Sequence, residues 1–430
     1  MRIAIFTDTY LPIRDGVVTS IDRFTKLMAD DGHQILIFCP KCGRYKDKPY
    51  PNITIKRYLS VTPPTYKDYK VALPFVLNVT SDLKEFKPDI VHIQTPLGIG
   101  WIGIWATKIL KIKNIQTYHT YIPDFLVYLK PTTLFGINKI ASYINSSKLL
   151  KALIEADISK EKYGSAKFQS YIGQRIKEIT EKASKNSNGR FTERFGRDYT
   201  RVVYNRADLV LTPSKAMRDT LIRQGVKTKV EVLSNGIDYD LFKKKSDYSI
   251  QNRIIHMGRL GHEKNIEVVI QAFSIAHKKI PNLRLDILGD GPSKKSLQNL
   301  VKNLNLSKEI KFGGAYDINK ISQDLCEYDF FVTASTIETQ GLVVLETMAS
   351  GLPVLGVKKL AIPEIVLDGK NGYISKPFDA EGMAKNILKI LEDEDRLREF
   401  GKKSLAIAKA HEINKCKDQL IRFYRKVAKK

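Results

Sequence analysis

Two successive series of short apolar runs, each run followed by a helical pattern, limit the fold of this chain more than any other feature. Arg2-Ile-Ala-Ile-Phe6 and Gln34-Ile-Leu-Ile-Phe38 indicate buried strands, and the apolar period of three to four residues between Val17 and Ala29 indicates a helix. Strands that alternate with helices favour a parallel sheet with helices on both faces. Because 430 residues exceed one ordinary core, the chain is predicted to be α/β, with two Rossmann-like, doubly wound domains facing a central cleft.

The predicted domain boundaries follow from breaks in this alternation. The polar, patternless stretch 243–248 separates the two series and indicates an interdomain link. The predicted units are residues 1–242 (first domain), 250–410 (second domain) and 411–430 (C-terminal helix). Residues 136–200 interrupt the first series and resemble basic amphipathic helices, with 14 basic and seven acidic side chains from Lys139 to Arg201. This stretch is therefore predicted to be a basic helical insert.

The net charge of +25, from 71 Lys and Arg against 46 Asp and Glu, indicates attraction to phosphates. The phosphate could belong to nucleic acid, an anionic bilayer or a nucleotide-bearing substrate, although a generally Lys-rich proteome would account for part of the excess. The charge is scattered over both domains and no nucleic-acid motif is present, so no nucleic acid is expected. The chain has no apolar signal region and no run of 18 apolar residues, so a cytoplasmic protein without a membrane span is expected.

Three motifs that suggest a cofactor or a metal fail on their context. Cys39-Pro-Lys-Cys42 is a lone C-x-x-C without a second pair. Asp238-Tyr-Asp240 and Asp393-Glu-Asp395 have the spacing of a metal–diphosphate motif, but they fall near the link and on a helix surface. Neither domain opens with G-x-G-x-x-G, which argues against NAD. No resident cofactor and no metal are expected.

The stretch 335–353 has the clearest chemistry. It follows an apolar run, and Gly341 then precedes a helical pattern; a strand, a glycine turn and a helix start form an anion site. Glu338 lies just before this helix and Glu346 inside it, roughly 7 Å along the axis from Gly341. Carboxylates on both sides of a diphosphate could bind sugar hydroxyls at one end and ribose hydroxyls at the other. Two acids at this spacing also occur by chance as surface residues.

A basic loop follows the first strand of the second domain. Arg259 and Lys264 lie five residues apart in Gly258-Arg-Leu-Gly-His-Glu-Lys-Asn265 and could both bind a diphosphate. In the first domain, Gly16, Gln94 and His119 fall at the carboxyl ends of the predicted strands, where the crevice of a doubly wound sheet lies. His119 and the neighbouring His92 could equally be hydrogen-bonded structural residues.

In this order, the residues resemble the retaining GT-B glycosyltransferases, a family that contains glycogen synthases, sucrose synthases and many lipid glycosyltransferases. The matching segments are Asn235-Gly-Ile-Asp238 with Phe242, Gly258-Arg-Leu260, Glu263-Lys-Asn265, Glu338 with Glu346, Gly341 to Val354, Pro363-Glu-Ile365 and Asp368-Gly-Lys-Asn-Gly372. The resemblance covers nearly the whole chain except 136–200. It implies that the C-terminal helix returns to the first domain.

The resemblance also implies a role for each candidate residue. Glu338 would contact the donor sugar and Glu346 the ribose, with Gly341 and Leu342 completing the donor site. Arg259 and Lys264 would neutralise the leaving diphosphate in place of a metal. Gly16 would line the phosphates from the first domain. The implied catalytic residues are His119, Glu338, Arg259 and Lys264, with His119 beside the sugar and the acceptor hydroxyl.

Three short stretches look most like bacterial 1,2-diacylglycerol 3-glucosyltransferases of Gram-positive bacteria and mollicutes. They are Gly16-Val-Val-Thr-Ser20, Thr117-Tyr-His-Thr120 and Glu338-Thr-Gln-Gly341. The chain departs from the family pattern before Pro363, where Lys359-Leu-Ala361 replaces the usual glycine pair. The insert is also longer than this subgroup implies.

The acceptor side is predicted from aromatic and basic residues of the first domain. They are Trp101, Trp105, Lys108, Lys111, Tyr121 and Phe125. Aromatic side chains beside lysines are typical of a helix that lies in an anionic membrane surface. Alternatively, both tryptophans belong to the core and the insert is a solvated arm.

The expected function is metal-independent, retaining transfer of a hexose, glucose from UDP-glucose, to a membrane lipid such as 1,2-diacylglycerol, giving an α-glycolipid. The expected location is the inner face of the cell membrane, as a peripheral, monotopic protein. The same chemistry on a soluble sugar or polysaccharide stays open, as does a basic nucleic-acid-binding protein. The donor base and hexose, the number of sugars added, the role of the insert and the oligomeric state do not follow from the sequence.

Overall fold

The computed structural model describes residues 1–13, 15–58, 60–61, 71–72, 79–119 and 189–429, which contain two parallel sheets. Strands in chain order are β1 (Arg2–Phe6), β2 (Gln34–Pro40), β3 (Ile53–Tyr58), the short antiparallel pair β4 (Ser60–Val61) and β5 (Val71–Ala72), β6 (Ile90–Ile93), β7 (Asn114–Thr117), β8 (Leu209–Thr212) and β9 (Val230–Val232). The first sheet has the order β3-β2-β1-β6-β7-β8-β9. Its helices are Gly16–Asp30, Val79–Phe86, Gly98–Leu110, Gly189–Tyr204 and Lys215–Arg223.

The second sheet has six parallel strands in the order β12-β11-β10-β13-β14-β15. These strands are β10 (Arg253–Met257), β11 (Arg284–Leu288), β12 (Ile310–Gly314), β13 (Phe330–Val332), β14 (Val354–Val357) and β15 (Gly372–Ser375). The remaining α-helices are Ile266–His277, Lys294–Asn303, Ile318–Asp324, Leu342–Ala349, Ile362–Ile365, Ala380–Ile390, Glu394–Ala410 and Ile413–Ala428. In both sheets the strand order reverses beside the first strand, at β1 and at β10, so each has a crevice at the carboxyl ends of its strands.

The predicted α/β class with two Rossmann-like sheets is confirmed. β1 begins and ends at the predicted residues, whereas the helix Gly16–Asp30 is one residue longer at each end than its apolar pattern. Asp15 supplies the reason at one end, because its carboxylate accepts a hydrogen bond from the Val18 amide at 2.8 Å and caps the helix. β3 was not predicted, since its residues alternate between exposed and half-buried and form no apolar run.

The C-terminal helix Ile413–Ala428 returns to the first sheet, as the resemblance implied. Its buried face includes Leu420 and Tyr424, which pack in one cluster with Ile3 and Ile35 of the sheet. The approach is held by backbone hydrogen bonds, because the Ile413 amide donates to the Ile237 carbonyl at 2.9 Å. The first domain's layer of helices is therefore completed by the last residues of the chain.

The predicted insert and link both take part in packing where they are described. Residues 189–200 of the insert form the start of the helix Gly189–Tyr204, whose Tyr199 and Tyr204 are buried in the first domain's core. The link has no regular structure, yet its Tyr248 is buried and donates a hydrogen bond to the Gly351 carbonyl at 3.0 Å. Residues 136–188 lie outside the described residues. In the described part of the chain, no helix is long and apolar enough to cross a bilayer.

Candidate active site

Lys264 and Glu338 form an ion pair at the edge of the second sheet. Lys264 ends the turn His262–Lys264 after β10, and Glu338 lies in the loop after β13, the strand next to β10. The Lys264 Nζ and Glu338 Oε1 atoms are 2.5 Å apart. Burial acts to raise the pKa of Glu338, but the charge and hydrogen bond of Lys264 outweigh it, so the pKa lies below its usual value. The pair is therefore ionised and ordered before any ligand binds.

The two loops that carry this pair are hydrogen-bonded to each other. Asn265 Nδ2 donates to the Ala334 carbonyl and to Thr336 Oγ1, both at 3.2 Å. Asn265 itself has a positive φ of 48°, a conformation that asparagine tolerates better than most residues. The spacing of Lys264 and Glu338 is thus set by backbone geometry on both sides, which suits a site that must be preorganised.

Arg259 lies in the same basic loop, with an exposed side chain. Its charge acts across the cleft on the carboxyl group of Asp15. Burial raises the pKa of Asp15, and Arg259 is among the groups that oppose this rise. Asp15 was not singled out from the sequence; its position directly before Gly16 was the only available signal.

Gly16 and Leu342 face each other as the first residues of two helices. A β-carbon at Gly16 would lie 3.5 Å from Leu342 Cδ1, which shows how closely the helix starts Gly16–Asp30 and Leu342–Ala349 approach. Gly341, the residue before the second helix, has φ 84°, in the left-handed region that favours glycine. Two helix N-termini therefore converge on the same cleft, one from each domain. Their free amide groups and dipoles favour an anion between them.

Glu346 is buried in the second of these helices and pairs with a first-domain cation. Its Oε1 atom lies 3.5 Å from Nη1 of Arg23. Burial raises the pKa of Glu346, and Arg23 only partly opposes the rise. The Glu346 carboxylate, which was predicted to bind the ribose, therefore forms an ion pair with Arg23 in this structure. Sequence reasoning missed Arg23, since a basic residue inside an amphipathic helix carries no distinctive local signal.

Around His119, the first-domain side of the cleft consists of neutral groups. His119 follows β7, and its Nε2 atom lies 2.7 Å from Oε1 of Gln94, which follows the neighbouring strand β6. Burial lowers the pKa of His119 to about 4, so the imidazole is neutral near pH 7. His119 Nδ1 is buried and has no hydrogen-bond partner among the described residues. An unpaired buried nitrogen beside the cleft is a site for a ligand's polar group.

The segment that departs from the family pattern contacts the first domain. Leu360 has φ 45°, where glycine is favoured, and its side chain packs against the first domain's core cluster. Four residues later, the Glu364 carboxylate accepts hydrogen bonds from the amides of Lys215 and Ala216, at 2.9 and 2.5 Å. Glu364 therefore caps a helix of the opposite domain. Leu360 thus contacts the opposite domain from a backbone conformation that favours glycine.

The predicted membrane residues are only partly described. Trp101 is half-buried, and its Nε1 atom donates a hydrogen bond to the Tyr199 hydroxyl at 2.8 Å, so the packing alternative considered from the sequence applies to Trp101. Trp105 is half-buried, whereas Lys108 and Lys111 are exposed near the end of the same helix. Tyr121 and Phe125 lie outside the described residues.

The cysteine and aspartate motifs considered from the sequence do not form a metal-binding cluster within the described residues. Cys39 is buried and Cys42 is half-buried, and both are free thiols. Within the described ranges, no group of three or more His, Cys, Asp or Glu side chains could hold a metal ion.

Comparison with known proteins finds a glycosyltransferase family model for each half of the chain. The family described as "Glycosyl transferases group 1" matches residues 239–406, and "Glycosyltransferase Family 4" matches residues 14–156 and 179–241. The chain is 28% identical to an alpha-monoglucosyldiacylglycerol synthase of Streptococcus pneumoniae over 83% of this chain and 70% of the relative. It is 25% identical to the enzyme of that name from Acholeplasma laidlawii, over 94% of this chain and 91% of the relative.

Solved structures support the fold. The sucrose-phosphate synthase of Thermosynechococcus elongatus superimposes with a TM-score of 0.68 at 17% identity, covering 99% of this chain and 98% of the other. The Anabaena protein HepE, solved with UDP-glucose, gives a TM-score of 0.67 at 18% identity, covering 99% and 100%.

Proposed function

Because the chain belongs to the group 1 glycosyltransferases with the GT-B fold, and is a nucleotide-sugar-dependent enzyme, we propose that it transfers glucose from UDP-glucose to 1,2-diacylglycerol. The configuration at the anomeric carbon is retained and no metal ion takes part. The observation that carries the proposal is the ordered Lys264–Glu338 pair at the point where two helix N-termini meet. The names of the pneumococcal and Acholeplasma relatives support the diacylglycerol acceptor.

The donor's diphosphate would lie between the two helix N-termini and the basic loop. As the bond between the glucose C1 atom and the phosphate oxygen breaks, negative charge grows on the diphosphate. Arg259 and Lys264 are already in place to stabilise that charge, which is the role a divalent cation has in metal-dependent enzymes. When Lys264 turns toward the phosphate, Glu338 becomes available to the glucose hydroxyls. Glu346 would exchange Arg23 for the ribose hydroxyls.

The acceptor hydroxyl would enter from the first-domain side. Retention requires its oxygen to bond to C1 on the face from which the phosphate leaves. His119 lies on this side as a neutral group, so it orients a hydroxyl by hydrogen bonding without adding charge beside the reaction centre. In this mechanism the second domain stabilises the negative charge of the leaving diphosphate, and the first domain positions the acceptor hydroxyl.

The membrane contact is assigned to the end of the helix Gly98–Leu110. Lys108 and Lys111 are exposed there, and the side chain of Ile109 between them is 44% exposed. An exposed aliphatic residue between two lysines suits an anionic bilayer surface, where lysines bind headgroups and the isoleucine enters the interface. The protein would therefore act as a peripheral protein on the inner leaflet.

The test measures transfer on vesicles of phosphatidylglycerol with and without diacylglycerol, using labelled UDP-glucose, UDP-galactose and GDP-mannose in separate reactions. We expect an α-glucosyl lipid from UDP-glucose only, formed at an unchanged rate in EDTA. Transfer to a soluble sugar but not to diacylglycerol would refute the acceptor. Loss of activity in EDTA, restored by a divalent cation, would refute metal independence, and a β-linked product would refute retention.

The membrane contact is tested separately by vesicle sedimentation. The variant Lys108→Glu/Lys111→Glu should bind anionic vesicles at least about thirtyfold more weakly, since each of the two basic residues near such a surface contributes about 1 kcal/mol. Lys402→Glu/Lys403→Glu is the matched control, because it makes the same charge change at two exposed lysines of another helix. Equal loss of binding in both variants would show that net charge, and not this helix end, determines binding.

A further inference from the structure

Four buried polar side chains form a continuous chain from the C-terminal helix to His119. The Tyr424 hydroxyl lies 2.6 Å from His92 Nδ1, and Gln94 Nε2 lies 3.2 Å from the same nitrogen. Gln94 Oε1 then lies 2.7 Å from His119 Nε2. The other nitrogen of His92 lies 2.6 Å from Thr117 Oγ1. Tyr424 and His119, which lie more than 300 positions apart in the sequence, are thereby linked through His92 and the side-chain amide of Gln94.

The direction of these hydrogen bonds follows from Tyr424. Its side chain is 0% exposed, and His92 Nδ1 is the only hydrogen-bond partner of its hydroxyl in the described part of the chain. A buried hydroxyl proton without an acceptor is costly, so Tyr424 donates to His92 Nδ1. His92 is neutral because burial lowers its pKa to about 3, so its single proton lies on Nε2 and is donated to Thr117.

The protonation of His92 determines the orientation of Gln94. An unprotonated His92 Nδ1 cannot donate to an amide oxygen, so it faces the amide nitrogen of Gln94, which shares its one lone pair with the Tyr424 hydroxyl, and the amide oxygen turns toward His119. An oxygen can only accept, so His119 must carry its proton on Nε2. His119 Nδ1 is then the unprotonated nitrogen, and it is the buried ring atom that has no hydrogen-bond partner among the described residues.

We propose that Tyr424 is a positioning residue that fixes the tautomer of His119 through His92 and Gln94, so that His119 Nδ1 accepts a hydrogen bond from a hydroxyl of the substrates. This inference rests on the proposed function for the identity of that hydroxyl, either on the acceptor lipid or on the transferred sugar. The C-terminal helix thus does more than cover the first sheet. It carries the Tyr424 hydroxyl, which determines which ring nitrogen of His119 is protonated.

Removing the Tyr424 hydroxyl makes a second arrangement available. His92 can then hold its proton on Nδ1 and donate it to a rotated Gln94 oxygen. The Gln94 amide nitrogen in turn donates to His119 Nε2, which moves the proton of His119 to Nδ1. In both arrangements the amide oxygen and the amide nitrogen of Gln94 have hydrogen-bond partners, so the Tyr424→Phe variant should contain a mixture of the two. Only the original arrangement leaves Nδ1 of His119 as a hydrogen-bond acceptor.

The experiment is nitrogen-15 NMR of the protein labelled at its seven histidines, without substrate. His119→Asn identifies the His119 signals. In the wild type we expect an unprotonated Nδ1 and a protonated Nε2 at His119. In Tyr424→Phe we expect averaged shifts from two tautomers, with kcat reduced about twofold and the KM for UDP-glucose unchanged, since about half the molecules are competent. Gln94→Leu should abolish the tautomer preference and reduce kcat further.

Tyr248→Phe is the control, because it removes a buried, hydrogen-bonded tyrosine hydroxyl from the second domain. Its His119 spectrum and kcat should match the wild type. A wild-type His119 protonated at Nδ1, or a Tyr424→Phe spectrum identical to that of Tyr248→Phe in a folded protein, would overturn the inference. The spectra need no acceptor, so they separate failure of this inference from failure of the proposed diacylglycerol activity.

Discussion

The two sides of the cleft differ in how they handle burial of polar groups. On the second-domain side, Glu338 is buried but Lys264 lies 2.5 Å away, and the pKa of the carboxyl falls below its usual value. On the first-domain side, His119 is held by the neutral amide of Gln94, and burial lowers the pKa of His119 to about 4. The second-domain side therefore places an ion pair in the cleft, whereas the first-domain side around His119 is neutral.

This difference matches the tasks expected of a glycosyltransferase. A diphosphate leaving group develops negative charge and needs fixed cations nearby. A hydroxyl nucleophile needs orientation, which a neutral hydrogen-bond acceptor supplies without a further charge that would have to be desolvated. The comparison makes three predictions, in order of decreasing effect.

The largest effect is expected from Lys264→Met. It removes the cation from the diphosphate and leaves Glu338 buried without its partner, so kcat/KM should fall by about 10²–10³. Burial is then opposed only by the smaller effects of Ser335 and His256, and the pKa of the Glu338 carboxyl should rise above the usual value, measurable by carbon-13 NMR of labelled glutamate. Lys294→Met is the control, since Lys294 forms an exposed pair with Asp290 at 3.0 Å. Equal activity of Lys264→Met and the control would contradict the charged role of this side.

A smaller effect is expected when charge is placed on the neutral side by Gln94→Glu. In the wild type, His119 has its pKa lowered by burial to about 4, so it should not titrate between pH 6 and 8. A carboxylate at position 94 favours imidazolium and should raise the pKa of His119 by about 1–3 units. The variant's kcat/KM should then fall toward pH 6, because the protonated ring lacks an acceptor at Nδ1.

The pH–rate profile of kcat/KM from pH 5 to 8 measures this effect. Gln116→Glu provides the control, since Gln116 is also a buried glutamine, on β7, but its hydrogen bond at 3.3 Å is to Asn114. A Gln94→Glu profile parallel to that of the wild type would show that His119 does not act through a neutral Nδ1.

The lowered pKa of His119 also determines how the folding stability of the wild type depends on pH. Its contribution to stability is fully present above pH 6.5 and is lost as the pH falls toward 4.

The smallest effect is expected from Glu364→Gln, which weakens the contact that joins the two sides. Glu364 caps the helix Lys215–Arg223 from across the cleft, and loss of a helix cap costs about 1 kcal/mol. If this contact favours the closed cleft, the KM for UDP-glucose should rise about fivefold with little change in kcat. Asp379→Asn removes a comparable cap within the second domain, where Asp379 accepts from the Gly382 amide at 2.8 Å. It should lower stability alone; an equal rise in KM would show that Glu364 has no cross-cleft role.

The second-domain side could be predicted closely because its residues follow strands directly. Lys264 comes seven residues after the end of β10 and Glu338 six residues after the end of β13, and parallel neighbouring strands bring such loops to one edge. The strands themselves were recognisable from apolar runs. The local sequence pattern therefore predicted both the strands and the charged residues that follow them. The tertiary structure added the distance between Lys264 and Glu338.

The first-domain side and the cross-cleft contacts could not be predicted in the same way. Tyr424 and Arg23 each lie on an ordinary amphipathic helix, where nothing local distinguishes them from surface or core residues. Glu364 belongs to a motif recognisable in the sequence, but its partners across the cleft do not follow from that motif. Trp101 is ambiguous in the sequence for a related reason, because an aromatic residue beside lysines fits a membrane helix as well as it fits a core position. Such side chains acquire a role only from partners that are remote in the chain.

The sequence by itself determined the α/β class, the two parallel sheets and the charged residues of the donor side, because periodicity and strand-end position are local properties. Only the tertiary structure decided the neutral side. It brought Tyr424 from the end of the chain to His92, and Gln94 to His119, and so determined which nitrogen carries the proton. Hydrogen-bond direction depends on every member of a buried network, and those members meet only after both domains and the last helix have packed.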